Sequence, residues 1–321
     1  MNIAVIGLGS MGKRRIRIIR ELYPEFRVIG IDNREDRRRE TAEQFGITCY
    51  ASGNRINQHM DCVFVCTGPL SHRAIIREAL SGGSHVFTEL NLVPDGYEEN
   101  IALARDNNLM LFLSSPFLYR EEMQYICKQV GNGGWNYIYH IGQYLPDWHP
   151  WENCYESFLA RKETNACREI LSLELPWLTM AFGDVQSIHT TSDKMTDLCI
   201  DFHDNYHIQL GHQNGNKGTL VVDVVSPVAV RNLEVYRENR YISWRGTPES
   251  LVAWDPEGKT MRSVVMTEKT EHMEGYSSFI VENLYKNEIR AFFDAVCNGK
   301  KPGYGFEEDY RILRIIDKIG A

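Results

Sequence analysis

AVIGLGSMG, residues 4–12, is a short apolar run that breaks into glycines at positions 7, 9 and 12 and continues as MGKRRIRIIRELY with helical spacing. A strand that enters a helix through G-x-G-x-x-G is the fingerprint of a dinucleotide-binding turn. The first glycine permits the tight turn and the second lets a pyrophosphate approach the backbone. The third allows the helix to pack closely on the strand, and the helix N-terminus faces the phosphates. Twenty residues beyond Gly12, at the end of RVIGID, Asp32 stands where a carboxylate accepts from adenosine ribose hydroxyls. Gly7, Leu8, Gly9, Ser10, Met11 and Gly12, with Asp32 and Asn33, are therefore the first candidate cofactor residues. Asp32 favours NAD, since a carboxylate repels a 2′-phosphate. Arg34 and Arg37 stand close enough in sequence to pair with that phosphate, so NADP stays open.

The pattern repeats outward from this loop. NIAVIG, RVIGID, ITCY, CVFVC, HVFTE and LMLFL alternate with helical segments such as HRAIIREALSGG, whose glycine pair suits a helix C-terminus. Strands alternating with helices give βαβ units and a parallel sheet covered on both faces, a doubly wound α/β fold. CTGPLSH after the fourth run adds Thr67, Gly68, Pro69 and His72, because ligands of open α/β sheets gather at the carboxyl ends of strands. His72 either lines that edge or caps its helix. After SSPFLYREEMQ the character changes. A helix (REEMQYICKQVG), an aromatic-rich stretch and a second helix (REILSLELPWLTMAFG) precede strand-like pieces: QSIHTTSD, DLCIDFHD, YHIQLGHQ, GTLVVDVVS, RNLEVYRE and RYISWRG. Turn signals such as NGNKG join them into an antiparallel meander. Two helical segments close the chain. The reading is two domains, 1–117 for the dinucleotide and 118–321 for substrate and oligomerisation.

Bulk properties narrow the rest. The 321 residues carry 35 Lys and Arg against 43 Asp and Glu, a net charge of −8, which argues against nucleic acid or an anionic membrane as partner. The arginine-dense REDRRRE (34–40) reads as a solvated helix face. No apolar run is long enough to span a membrane, and the opening residues lack the features of a signal peptide. Eight scattered cysteines without a C-x-x-C read as buried thiols of a cytoplasmic protein. His203 and His207 share a strand face, but four residues apart in a strand is ~13 Å, too far for one ion. No metal site is expected.

GLGSMG, TGPLSH, ALSGGSHVFTELNL and the closing NEIRAFFDAVCNGKKPGYGFEEDYRILRIIDKI together resemble the glucose–fructose oxidoreductase / inositol dehydrogenase (Gfo/Idh/MocA) family. The resemblance implies an N-terminal Rossmann domain, a C-terminal α/β domain with a large, mostly antiparallel open sheet, and NAD(P)-dependent redox chemistry on a sugar or cyclitol carbon. It also implies a Glu-Lys-Pro segment at Glu89–Leu90–Asn91. Glu89 matches and is counted, with Asn91, among the cofactor residues, but Leu90 replaces the lysine. A second family motif, an Asp and a His before a helix that ends on a hydrophobic-Gly step, falls near Ile170 and Leu173. Neither moves a proton; a slip of register brings up Glu169 or Glu174.

Alcohol oxidation must lose a hydroxyl proton, and acid/base help contributes ~10²–10⁴-fold, so a substitute is needed. The segment GQYLPDWHPWENCYESFLARKETNACRE (142–169) is aromatic and charged. It offers His149 and Lys162 as catalytic candidates, with Tyr119 after the last Rossmann strand. Arg120, Tyr144, Trp151 and Glu174 are candidates for holding the substrate. The sequence thus reads as an oxidoreductase of a sugar or nucleotide-sugar derivative with a non-standard acid/base set. A silent dinucleotide-binding sensor, or an enzyme that keeps NAD bound and oxidises transiently, is the alternative. An open sheet face that needs covering makes a homodimer or homotetramer the expected assembly.

Overall fold

The computed structural model describes residues 1–53, 58–131, 133–148, 153–267, 269–273 and 279–321. The chain divides into two compact units, Met1–Ser115 with Tyr285–Tyr310, and Pro116–Leu284 with Arg311–Ala321. The single crossing expected after residue 117 is therefore followed by a return: the chain re-enters its first unit near residue 285.

In the first unit six parallel strands run in the order β3-β2-β1-β4-β5-β6. They are β1 (Asn2–Ile6), β2 (Arg27–Ile31), β3 (Cys49–Tyr50), β4 (Cys62–Val65), β5 (His85–Thr88) and β6 (Leu111–Leu113). The connecting helices are α1 (Ser10–Leu22), α2 (Glu35–Phe45), α3 (His72–Ser81) and α4 (Tyr97–Asp106). The strand order reverses beside β1, so the carboxyl ends of β1 and β4 border the crevice where such sheets bind ligands. Phe64, Phe87 and Phe112 lie in register on β4, β5 and β6 and stack at 4.8 and 5.3 Å. Phe292 of α7 (Glu282–Asn298) meets all three edge-on at 5.2–5.7 Å. That apolar burial fixes the returning segment to the sheet.

The second unit has an eight-stranded sheet in the order β14-β13-β12-β11-β7-β10-β9-β8. Its strands are β7 (Asn136–Gly142), β8 (Val185–Asp193), β9 (Asn205–His212), β10 (Lys217–Asp223), β11 (Val230–Arg237), β12 (Arg240–Trp244), β13 (Val252–Asp255) and β14 (Thr260–Ser263). All pairings are antiparallel except β7 with β10. β7 splits the expected meander, and its alternation decides which face is covered. Tyr137, Tyr139 and Ile141 are buried, whereas Ile138 is 46% exposed. On the buried side lie α6 (Ala166–Phe182) and, against it, α5 (Glu121–Val130); α8 (Phe306–Ile319) ends the chain.

DLCIDFHD is not a strand. Asp204 draws the loop inward by accepting from the backbone N–H groups of Met195 and Thr196 and from the Thr196 hydroxyl, at 2.6–2.9 Å. Leu198, Ile200 and Phe202 are buried without a ladder. His203 consequently lies off the strand that carries His207 and meets Ser192 Oγ at 2.8 Å.

Candidate functional site

The turn after β1 is built on its glycines. Gly7 has φ +93° and donates its N–H to Ile31 O at 2.8 Å; a Cβ there would meet Cys66 O at 2.5 Å. A Cβ on Gly12 would stand 1.9 Å from Gly7 O, so the helix can touch the strand only without a side chain. Gly9 differs. A Cβ there would make only ordinary contact, with Arg37 Nη1 and Cζ at 3.6 and 3.9 Å. Gly9 is also the N-cap of α1, with no side-chain cap and no acidic residue in the first turn. An uncapped helix start offers N–H groups and a positive dipole to a diphosphate. These residues fit a dinucleotide.

Asp32 braces this loop. Its Oδ2 accepts from Leu8 N and its Oδ1 from Arg34 N, both at 2.8 Å, and the residue is 7% exposed. Leu8 is fully buried and shapes the turn from beneath. The arginines of REDRRRE have separate places. Arg34 pairs with Asp36, whose carboxyl is pulled down to about 2 chiefly by that hydrogen bond. Arg38 donates to the carbonyls of Asp32 and Asn33 at 2.8 Å. Arg37 stands 4.0 Å from Asp32 Oδ2, beside Gly9.

The loops after β4 and β5 are tied to each other. His72 Nε2 meets Thr67 O at 2.9 Å, and its Nδ1 meets the Asn91 side chain. Burial lowers the His72 pKa, so the ring is neutral. Nδ1 faces Asn91 Oδ1 and, at 3.3 Å, the Thr88 hydroxyl. The His72 ring thus bridges the two loops, and the N-cap of α3 is Ser71. Asn91, 2% exposed, holds its loop through a hydrogen bond. Ser71 Oγ joins the same turn through Thr67 Oγ1 and Gly68 O at 2.7 and 2.8 Å, with Pro69 buried beside it.

Glu89 is held by a residue that motif reading missed. Arg15, on the buried side of α1, donates Nε and Nη2 to the two Glu89 oxygens at 2.6 and 3.1 Å. Nη2 also reaches Glu288 Oε2 at 2.7 Å and Ser114 Oγ at 3.2 Å. Glu288 Oε1 accepts from Ser114 Oγ and Ser115 N at 3.0 and 2.8 Å. Burial pushes the Glu288 carboxyl up against the pull of Arg15. Burial likewise works against the Arg15 charge, but the two carboxylates outweigh it and raise its pKa. The cation beside Glu89 is therefore internal. Arg15→Met should lower stability by ~3–5 kcal/mol, because it leaves two facing carboxylates in a dry site. Urea unfolding checks this; an unchanged midpoint would contradict it.

In the second unit the expected substrate residues separate. Arg120 is 2% exposed, and its Nη2 donates to Glu122 Oε1 at 2.6 Å and Gly246 O at 3.0 Å. Glu174 is fully buried and bound to Arg231, to Tyr139 Oη at 3.0 Å and to Trp177 Nε1 at 2.7 Å. Both are taken up inside the domain, contrary to a role in meeting substrate. Tyr119 ends the 3-10 turn Pro116–Tyr119, which packs on α6; Tyr144 is half-buried and Lys162 exposed. His149 and Trp151 lie outside the described residues.

Glu169, which the sequence raised only as a slip of register, behaves otherwise. It stands in the first turn of α6, and its Oε2 is shut off from solvent with no hydrogen-bond partner. Burial pushes its carboxyl up to about 7. A carboxyl that changes charge near neutrality is equipped to give and take a proton.

Fold and glycine turn define a dinucleotide-binding Rossmann domain joined to an α/β domain with a large, mostly antiparallel sheet. Residues 1–115 match the oxidoreductase family with NAD-binding Rossmann fold, GFO_IDH_MocA. No curated protein matches the sequence. Solved structures share the whole fold. An oxidoreductase from Agrobacterium radiobacter, in complex with NAD+, L-tartaric acid and magnesium, is 15% identical with TM-score 0.81, covering 99% of this chain and 94% of its own. Levoglucosan dehydrogenase in complex with NADH is 15% identical with TM-score 0.80, covering 100% and 96%. UDP-N-acetylglucosamine 3-dehydrogenase from Acidithiobacillus ferrooxidans is 15% identical with TM-score 0.75, covering 99% and 96%. At such identity the likeness is one of fold. Among the described residues no helix is long and apolar enough to cross a membrane.

Proposed function

We infer that the chain is an NAD(P)-dependent oxidoreductase of a sugar or nucleotide-sugar derivative in which Glu169 handles the hydroxyl proton. The observation that carries the redox reading is the uncapped helix start at Gly9 with Asp32 behind it. Levoglucosan dehydrogenase and UDP-N-acetylglucosamine 3-dehydrogenase, proteins of the same fold named for sugar substrates, support the substrate class. A bound nicotinamide supplies the hydride acceptor or donor.

The chain's own residues do the rest. Gly9 and the first turn of α1 receive the diphosphate, and Asp32 holds Leu8 and the loop in shape. The His72–Asn91 bond fixes the two loops at the carboxyl edge of the sheet. Glu169 takes the hydroxyl proton as carboxylate in the oxidation direction and returns it as acid in reduction. Tyr144 offers a ring on which a sugar stacks, and a homodimer or homotetramer covers the sheet face that exposes Ile138 and Tyr236.

The test is absorbance of the reduced nicotinamide when the dinucleotide-loaded protein meets a panel of sugars, sugar acids and nucleotide sugars. Substrate-dependent appearance of the band is expected. Saturated dinucleotide binding with no change across the panel would favour the sensor reading, and no binding would remove the redox reading altogether.

A further inference from the structure

Among the described residues the two sheets have four edges, and three of them are short. β3 and β6 end the parallel sheet with two and three residues, and β14 ends the antiparallel sheet with four. β14 is also guarded by charge, with Lys259 before it and Arg262 paired to Asp255 at 2.5 Å. β8 is different. It is nine residues long, VQSIHTTSD, about 30 Å of extended chain, and none of the nine is buried. Its inner side pairs with β9, and among the described residues no strand lies along its outer side. Charge, proline and shortness are the devices that keep such an edge from pairing. Residues 185–192 hold no Lys, Arg, Asp, Glu or Pro, while Val185, Ile188, Thr190 and Thr191 favour extended backbone. The one irregularity is a bulge between Val185 and Ser187, which leaves Ser187 to Asp193 as a regular stretch of unpaired backbone groups.

We propose that β8 is an assembly edge: it pairs antiparallel with β8 of a second copy of this chain about a two-fold axis, so that two sheets become one. An antiparallel pair of identical strands is self-complementary, each copy using the same residues. The ends of the strand favour that occupant. Asp184 precedes it and Lys194 follows it, both exposed. Antiparallel pairing brings Asp184 of each copy toward Lys194 of the other, whereas parallel pairing would set like charges together. Lys194 Nζ gives one donor to Thr196 O at 3.0 Å and keeps others for a carboxylate. The regular stretch is centred on Thr190, so each His189 faces Thr191 of the other copy, and Asp193, whose Oδ1 accepts from Lys194 N, faces Ser187. His189 and Thr191 lie in register with Gln209 and His207, on the face away from buried Ile208 and Leu210. Small polar side chains there offer a foreign peptide little beyond backbone. The pairing does not depend on the redox reading. It adds to the proposed oligomer a surface other than the face with Ile138 and Tyr236, and a two-fold normal to the sheet joins those faces of the two copies into one.

The experiment is sedimentation velocity of the purified full chain as wild type, as His189→Asp/Thr191→Asp, as His189→Lys/Thr191→Lys, and as an equimolar mixture of the two variants. Wild type should sediment as a dimer or tetramer. Each double variant sets like charges opposite one another across the axis, so its mass should fall to about half that of wild type. In the mixture Asp faces Lys, and the wild-type mass should return. That recovery is the decisive reading, since damage to the fold of either variant would not be repaired by mixing. A monomeric wild type would overturn the proposal. Variants that keep the wild-type mass would overturn it as well, because the oligomer would then be held by another surface. A mixture that stays at the lower mass would do the same, because the charges would not be meeting across β8.

Discussion

Gly9→Asp should abolish dinucleotide binding while leaving the protein as stable as before, or more so. Gly9 already has the extended backbone of an N-cap, φ −74° and ψ −164°, and a Cβ there makes only ordinary contact with Arg37. An aspartate there can accept from the first-turn N–H groups and complement the helix dipole, an arrangement that stabilises by a few tenths to ~1 kcal/mol. Those same N–H groups are the ones offered to a diphosphate. The variant consumes them and adds a negative charge where the ligand's negative charge must come. Losing two charge-assisted hydrogen bonds alone costs ~3 kcal/mol or more, about a hundredfold in affinity. Nucleotide titration and thermal melting, run on the same preparation, read the two effects separately. Intact binding would mean that the glycine turn serves packing alone.

Glu169→Gln should cut turnover by ~10²–10⁴-fold and, above pH 7, stabilise the fold. The native carboxyl is pushed up to about 7 from its ordinary 4.5 because burial disfavours its charge. Between those values the unfolded chain has already lost this proton while the folded chain retains it. Stability therefore falls as pH rises through that window, and by pH 8 the cost is ~3 kcal/mol. Glutamine avoids the charge but brings its own amide to be satisfied, so a net gain of ~1–3 kcal/mol is expected above pH 7. The gain should fade as pH falls toward 4.5. Catalysis adds a second signature. Oxidation by the wild type should rise with pH through about 7 and reduction should fall, and both profiles should flatten in the variant. A variant with unchanged turnover would remove Glu169 from the chemistry, even if the stability difference were found.

Local sequence made the first unit legible. Each strand-to-helix step is written in contiguous residues, and GLGSMG, Asp32 and TGPLSH announce the cofactor edge without knowledge of the rest. The second unit was readable in outline, but two local patterns misled. DLCIDFHD alternates like a strand, yet Asp204 diverts the backbone into a loop by accepting three hydrogen bonds. NYIYHIG also alternates, but its ring-rich flanks hid the central strand β7.

The buried charges show the same limit. Arg15 and Glu288 are 273 positions apart, so no motif joins them. The available signal was weaker: each is a charged residue among buried apolar neighbours on its helix, Ile16 and Ile19 for one, Ile289 and Phe292 for the other. A buried charge demands a buried partner. Glu174 and Arg120 looked like ligand-facing charges for the same reason, and both found partners inside their own domain. Glu169 differs from them in having an oxygen left without one.

Equilibrium titration of the purified chain with NAD+ and NADP+, beside Gly9→Asp, tests the account most directly. Saturable binding of at least one nucleotide by wild type, lost in the variant without loss of folding, is the predicted result. Wild-type protein that binds neither nucleotide would contradict it.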